Sequence, residues 1–324
     1  MVLIGIHASH EQIGPGRLLA DMRRAEAAGF AAAMCSDHFN PWSREQGHSG
    51  FAWSWLGAAL ADTGLRFGTV TAPGQRYHPA VIAQASATLA DMFPGRFWMA
   101  LGSGENINES ITGDAWPDKE TRQRRLEECA QAIRSLHEGK TVDHDGLVRL
   151  SGAKVWDRPA ERPPLLAAVV SPQTARRSAA WADGIITVNQ PEPALRDVLD
   201  AYRSAGGRGP AVLQVHLSWA ATQAEAEELA LRQWRNATVS PPHAWDLATT
   251  EEFEQHSAGA AVDDVTEAVL VSADPARHIE WLTGFARLGF EEIYLHHVGQ
   301  ELGPFIDCFG REVLPFVEAR DGKE

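Results

Sequence analysis

The chain has 324 residues, of which 44% are hydrophobic and 22% charged, with 28 Gly and 18 Pro; this composition excludes a disordered, collagen-like or coiled-coil chain. Against 43 Asp+Glu stand only 29 Lys+Arg, and the resulting charge of −14 repels nucleic acid phosphates and anionic membrane surfaces, so neither is an expected partner.

Short apolar runs alternate with longer amphipathic stretches, the pattern of β–α units whose parallel strands are buried on both faces. Residues 2–7 predict a strand and 16–29 a helix ending at Gly29, followed by a strand from Phe30 to Ser36 and a helix over 51–62. Next come a strand over 66–71, a helix over 79–92, a strand from Phe97 to Leu101, and a long helix over 119–138 closed by Gly139. The stretch 140–163 changes character, with a hairpin around Asp145-Gly146, and is expected to be an insertion. Strands resume at Leu165 to Val170, Gly184 to Val188, Val212 to Trp219 and Glu292 to His296, with helices from about 172, 192, 222 and 274. Eight strands and about eight helices without a composition break favour one α/β domain over residues 1–324, a (β/α)8 TIM barrel, over two doubly wound halves. Residues 238–262, with Ser240-Pro241-Pro242, predict a second, loop-rich insertion near the site.

Cys35, Cys129 and Cys308 lie far apart with no C-x-x-C pair, so neither a disulfide framework nor a zinc knuckle is expected. The apolar start has no basic leader, and no stretch approaches the roughly 18 apolar residues of a membrane span. The expectation is a soluble cytoplasmic protein.

In such a barrel the functional groups follow the C-terminal ends of the strands. Ser36-Asp37-His38-Phe39-Asn40-Pro41-Trp42 follows the second strand, Thr71-Ala72-Pro73-Gly74-Gln75-Arg76-Tyr77 the third, and Gly102-Ser103-Gly104-Glu105-Asn106 the fourth. His38 beside Asp37 suits a general acid/base, although it is one of 13 histidines and a loop histidine satisfied by its neighbours reads equally well. Gly102-Ser103-Gly104 allows close backbone approach to a ligand but lacks the third glycine of the dinucleotide fingerprint, and no nucleophile elbow is present. Glu105 reads either as an acid in an apolar cup or as a helix N-terminal charge. His7 and His10 do not match the H-x-H spacing of metal-dependent hydrolase barrels, and adjacent His296 and His297 point to opposite faces of a strand, so no catalytic metal is expected.

These motifs resemble the luciferase-like flavin and deazaflavin oxidoreductases, in the branch that includes the F420-dependent glucose-6-phosphate dehydrogenases. The resemblance rests on Ser9-His10-Glu11-Gln12, the 36–42 motif, Gln46-Gly47-His48, residues 76–85 and 100–109, Ala115-Trp116-Pro117, Ala182-Asp183-Gly184 and Ser272-Ala273-Asp274-Pro275. It implies a TIM barrel with the cofactor ring in the C-terminal cup, resting on a non-proline cis peptide near Val70-Thr71-Ala72. It also implies His38 and Trp42 over the reacting face, Glu105 and Glu11 as the acidic groups beside them, Asp37 at the ring edge, and Ser103-Gly104 along the cofactor. Relatives recognise a sugar phosphate through lysines and an arginine of the second half; this chain has no lysine between Lys154 and Lys323, so glucose 6-phosphate is not the expected substrate.

Where the dehydrogenases carry paired glycines for the cofactor phosphate, this chain reads Val169-Val170-Ser171-Pro172-Gln173-Thr174. Ser171 and Thr174 at a helix start suit a terminal monophosphate, which places FMN ahead of the deazaflavin coenzyme F-420 (F420). The expected activity is hydride transfer between that cofactor and a small organic substrate. The alternatives are a monooxygenase using O2, which would draw on a separate flavin reductase, a metal-dependent hydrolase, or a cofactor carrier without catalysis. The resemblance further implies a homodimer paired near Phe51-Ala52-Trp53-Ser54-Trp55.

Overall fold

The computed structural model describes residues 2–320. Eight parallel strands form the frame: β1 (Leu3–Ala8), β2 (Ala32–Ser36), β3 (Arg66–Thr71), β4 (Phe97–Leu101), β5 (Leu165–Ala168), β6 (Ile185–Val188), β7 (Ala211–Ser218) and β8 (Glu292–His297). Each pairs with its neighbour in order, β7 pairs with both β6 and β8, and β8 closes the ring on β1. This is the expected (β/α)8 barrel, and each predicted strand lies within two residues of the observed one.

The strands are apolar because both faces are covered. Outward side chains meet the ring of helices, while inside the barrel Ala32, Met34, Trp98, Ala100, Leu166, Ile186, Val212 and Tyr294 form a separate apolar cluster. Trp98 needs a missing side chain opposite it: a Cβ at Gly68 would lie 2.0 Å from its indole ring. Trp98 Nε1 donates to the Tyr294 hydroxyl (3.2 Å), which donates to Glu292 (2.8 Å), itself paired with Arg66. The barrel is thereby plugged below the cup.

The first insertion is an antiparallel hairpin, Val142–Asp145 with Arg149–Ala153, set against the long helix Lys119–His137, where Glu128 accepts from His144 and the Leu147 backbone. The second departs from expectation. Residues 238–262 were predicted to be loop-rich, yet they hold the short helices His243–Asp246 and Thr250–Ser257, with Val262–Thr266 directly after. The cause is local: Thr249 and Glu252 satisfy each other's backbone amides in a capping box that starts the middle helix. A two-residue strand, Leu270–Val271, also pairs with the upper end of β7 and was not foreseen.

Of the three rings in the segment 51–55, Trp53 and Trp55 pack within their own barrel, against Phe97 and Phe67, and Phe51 is exposed. None of the described helices is long and apolar enough to cross a membrane.

Candidate active site

A cavity of about 450 Å³ opens at the C-terminal end of the barrel, inside the usual range for small-molecule sites. Every predicted site residue except Ser171 lines it: Glu11, Asp37, His38, Trp42, Val70, Thr71, Ser103, Gly104, Glu105, Val170 and Thr174.

His38 sits between two carboxylates. Its Nδ1 is 3.3 Å from Glu11 Oε1, an ion-pair distance without the alignment of a hydrogen bond, and its Nε2 is 3.6 Å from Glu105 Oε2. The two carboxyls differ because their surroundings differ. Burial pushes both up, but Glu11 also feels His38 and His7 and accepts from Ser36 (2.6 Å), which together draw it down to about 2. Glu105 has only His38 to oppose burial, with Glu11 adding repulsion, and is held above the usual carboxyl range. One carboxylate is thus kept charged to hold the imidazole and the other biased toward its protonated, donating form. Trp42 lies edge-on to His38 at 4.9 Å and is itself held by Phe253 at 4.8 Å, so the second insertion braces this wall of the cavity.

Asp37 is turned toward its own scaffold. Its carboxylate accepts from Thr71 (2.7 Å) and Tyr77 (3.0 Å) and lies 3.6 Å from Arg76, whose backbone amide donates to Glu109. This network ties the loops after β2, β3 and β4 together. The cis peptide expected near Val70-Thr71-Ala72 is not present: among the described residues only Pro241-Pro242 is cis. Thr71 instead continues the regular ladder, paired with Leu101 and accepting from Gly102 N (2.9 Å). Gly104 adopts φ +87°, and a Cβ there would press on Glu109 and Trp116.

The serine expected to hold a phosphate does not line the cavity. Ser171 Oγ accepts from Thr174 N (3.3 Å), capping the helix Pro172–Ser178. A stronger anion partner faces the cup nearby. Arg122 is 4% exposed, donates through Nη1 to Pro117 O (2.6 Å), lies 3.5 Å from the half-exposed carboxylate of Asp246, stacks over Trp116, and leaves its Nε without a partner. Lys119, one turn earlier, also lines the cavity. A buried guanidinium with one unpartnered N–H, lining the same cavity as Thr174, Ser103 and Gly104, fits a cofactor phosphate. Sequence inspection missed Arg122 because the helix offers four arginines, Arg122, Arg124, Arg125 and Arg134, and only packing shows which one faces inward. It also missed His7 and His216, which line the cavity with His296.

The luciferase-like monooxygenase model matches residues 1–292. The chain belongs to the luciferase-like monooxygenase family. Within this family it is similar to the F420-dependent glucose-6-phosphate dehydrogenases of Nakamurella multipartita, at 33% identity over 99% of this chain and 98% of the relative, and of Microbacterium testaceum, at 32% over 98% and 97%. Its structure is similar to an F420-dependent secondary alcohol dehydrogenase in complex with an F420-acetone adduct, with a TM-score of 0.90, 30% identity, and coverage of 98% of this chain and 99% of that one. The coenzyme F420-dependent tetrahydromethanopterin reductase of Methanopyrus kandleri shares the fold of this luciferase-like chain at a TM-score of 0.77 and 21% identity. FMN ahead of F420 finds no support here: relatives matched at 30% identity or more along their full length carry F420 in their names.

Proposed function

We propose that the protein is an F420-dependent oxidoreductase that oxidises an alcohol by hydride transfer. The observation that carries this reading is His38 set between a charged Glu11 and a protonation-biased Glu105 at the floor of an aromatic cup. When bound, the deazaflavin supplies the hydride acceptor. Arg122, Thr174 and the backbone of Ser103 and Gly104 would hold its phosphate, and Val70 and Thr71 would support its ring. With Nδ1 facing the Glu11 carboxylate, the His38 proton resides there and Nε2 is free to take the alcohol proton as the carbinol carbon gives up its hydride. Glu105, when protonated, donates to the developing carbonyl oxygen. Trp42, Trp234, Trp245 and Phe253 exclude water from that exchange. A dehydrogenase is favoured over use of O2 because the full-length relatives at 30% identity or more are named as dehydrogenases.

The test is turnover: protein loaded with F420 and given a panel of small alcohols should bleach the oxidised cofactor, with glucose 6-phosphate inactive. No bleaching with any alcohol would defeat the reading. A second result bears on the cofactor site. Arg122→Met should weaken F420 binding by about tenfold or more, the worth of one charge-assisted hydrogen bond. In the apoprotein the same change removes the hydrogen bond to Pro117 O and the 3.5 Å pair with Asp246, so the thermal midpoint should fall by no more than a few degrees. Unchanged affinity in a fluorescence titration would place the phosphate elsewhere.

A further inference from the structure

Beside the reacting histidine lies a group of side chains that the proposed chemistry does not use. His7, His216 and His296 come from the neighbouring strands β1, β7 and β8 and all line the cavity. The His296 ring centroid is 4.5 Å from that of His7 and 5.0 Å from that of His216, and Trp234 packs against His216 and His296 at 5.1 and 4.5 Å.

Hydrogen-bond polarity fixes where the protons sit. Gln12, 1% exposed, directs Nε2 at the Val298 carbonyl. A carbonyl only accepts, so the amide nitrogen must face it and Oε1 must face the other way. That Oε1 lies 2.7 Å from His296 Nε2, which therefore carries the proton. Burial, reinforced by His7 and His216, holds His296 neutral, so its Nδ1 is a lone pair. Facing that lone pair at 2.8 Å is His216 Nδ1, and two acceptors cannot share such a distance. His216 must donate from Nδ1. Burial pushes this imidazole down to about 4, so at neutral pH its Nε2 is an unprotonated acceptor. It makes no hydrogen bond to the described residues and opens into the cup. Reversal of the chain would need the Gln12 oxygen against the Val298 oxygen. The His216 backbone is held in turn by Asn189 Oδ1, which accepts from its N–H at 2.8 Å.

We infer that His216 Nε2, locked as an acceptor by the Gln12–His296 relay, is a second recognition point for substrate, selecting an uncharged alcohol that carries an additional hydroxyl. A lone pair refuses carboxylate or phosphate, and three neutral imidazoles give a full charge nothing to offset its desolvation. This rests on the reading of the protein as an F420-dependent alcohol oxidoreductase.

The protein, saturated with F420 and labelled with heavy nitrogen in its histidines, tests this by long-range nitrogen–proton correlation spectra at neutral pH. His216 should show the Nδ1–H tautomer and His296 the Nε2–H tautomer. Propylene glycol should shift the His216 Nε2 signal at a concentration about fivefold or more below that needed for isopropanol, the worth of one net hydrogen bond. His216→Phe identifies the signal by its loss and should erase the preference for propylene glycol in kcat/KM with F420 affinity unchanged. Protonation at His216 Nε2, equal response to both alcohols, or response to neither overturns the inference, and all are read on the unsubstituted protein if the variant fails to fold. The tautomers are observable without turnover and in the apoprotein, so a failure of F420 to bind or bleach faults the functional reading alone.

Discussion

His38→Ala should retain F420 binding and lose at least about a hundredfold in kcat on an alcohol substrate, because removing a positioned acid/base group costs 10²–10⁴ in rate. The geometry says why the loss should fall on kcat. His38 is the group that faces both Glu11 and Glu105, and neither can replace it: Glu11 is buried against Ser9 and Ser36, and Glu105 is biased toward its protonated form. Glu11→Gln should follow in the same direction with a smaller loss, since it removes the charge that orients the imidazole and leaves the base itself in place. Steady-state rates on protein with full cofactor occupancy check both. Near-normal kcat in His38→Ala would make this histidine a wall of the cup and shift the proton to Glu105 or water.

Stability should fall steeply between pH 6.5 and about 4, before most carboxylates titrate. His7, His10, His137, His278, His296 and His297 are nearly inaccessible, and burial holds each well below the usual histidine range, at about 3 for His7 and His297 and about 4 for His10, His137 and His278. The sign follows from proton counts. Above pH 6.5 both folded and unfolded chains hold these rings neutral and their full contribution is present. As pH falls, the unfolded chain takes up protons that the folded one refuses, and each ring removes about 1.4 kcal/mol per pH unit until its folded value is reached. Asp21, Glu105 and Glu109, raised by burial, act in the opposite sense but are three against six. Several kcal/mol should therefore be lost by pH 5, a large share of an ordinary domain's stability. Urea unfolding as a function of pH measures it, and a midpoint flat from pH 7 to 5 would show that these rings are charged in the folded state.

The barrel was legible in the sequence because its strands are buried on both faces and its helices on one, and the two periods alternate eight times. His38 and Glu105 were legible because they sit in polar loops after apolar strands, Trp42 and Glu11 through the family resemblance, and all four line one cavity. His296 and His297 alternate as a strand requires, His296 toward the cup and His297 stacked on Phe305. What was not legible depends on packing across long sequence separations. Ser171 looked like a phosphate ligand, yet it does not line the cavity, while Arg122 could not be singled out among its neighbours. The His216–His296 pair is adjacent only because β7 and β8 align in register across 80 residues. The helices of the second insertion carried a visible signal, Thr249 three residues before Glu252, that the Pro-rich start of the segment obscured.

Equilibrium titration of the apoprotein with F420 and with FMN tests the central claim most directly. The cup offers Arg122 and Lys119 where an anionic cofactor arm would lie, and Arg122 has a donor to spare. One F420 per chain should bind, at least about tenfold more tightly than FMN, a difference of roughly 1.4 kcal/mol. Tighter binding of FMN, or indifference to F420 at tens of micromolar, would contradict the assignment of this cup to a deazaflavin.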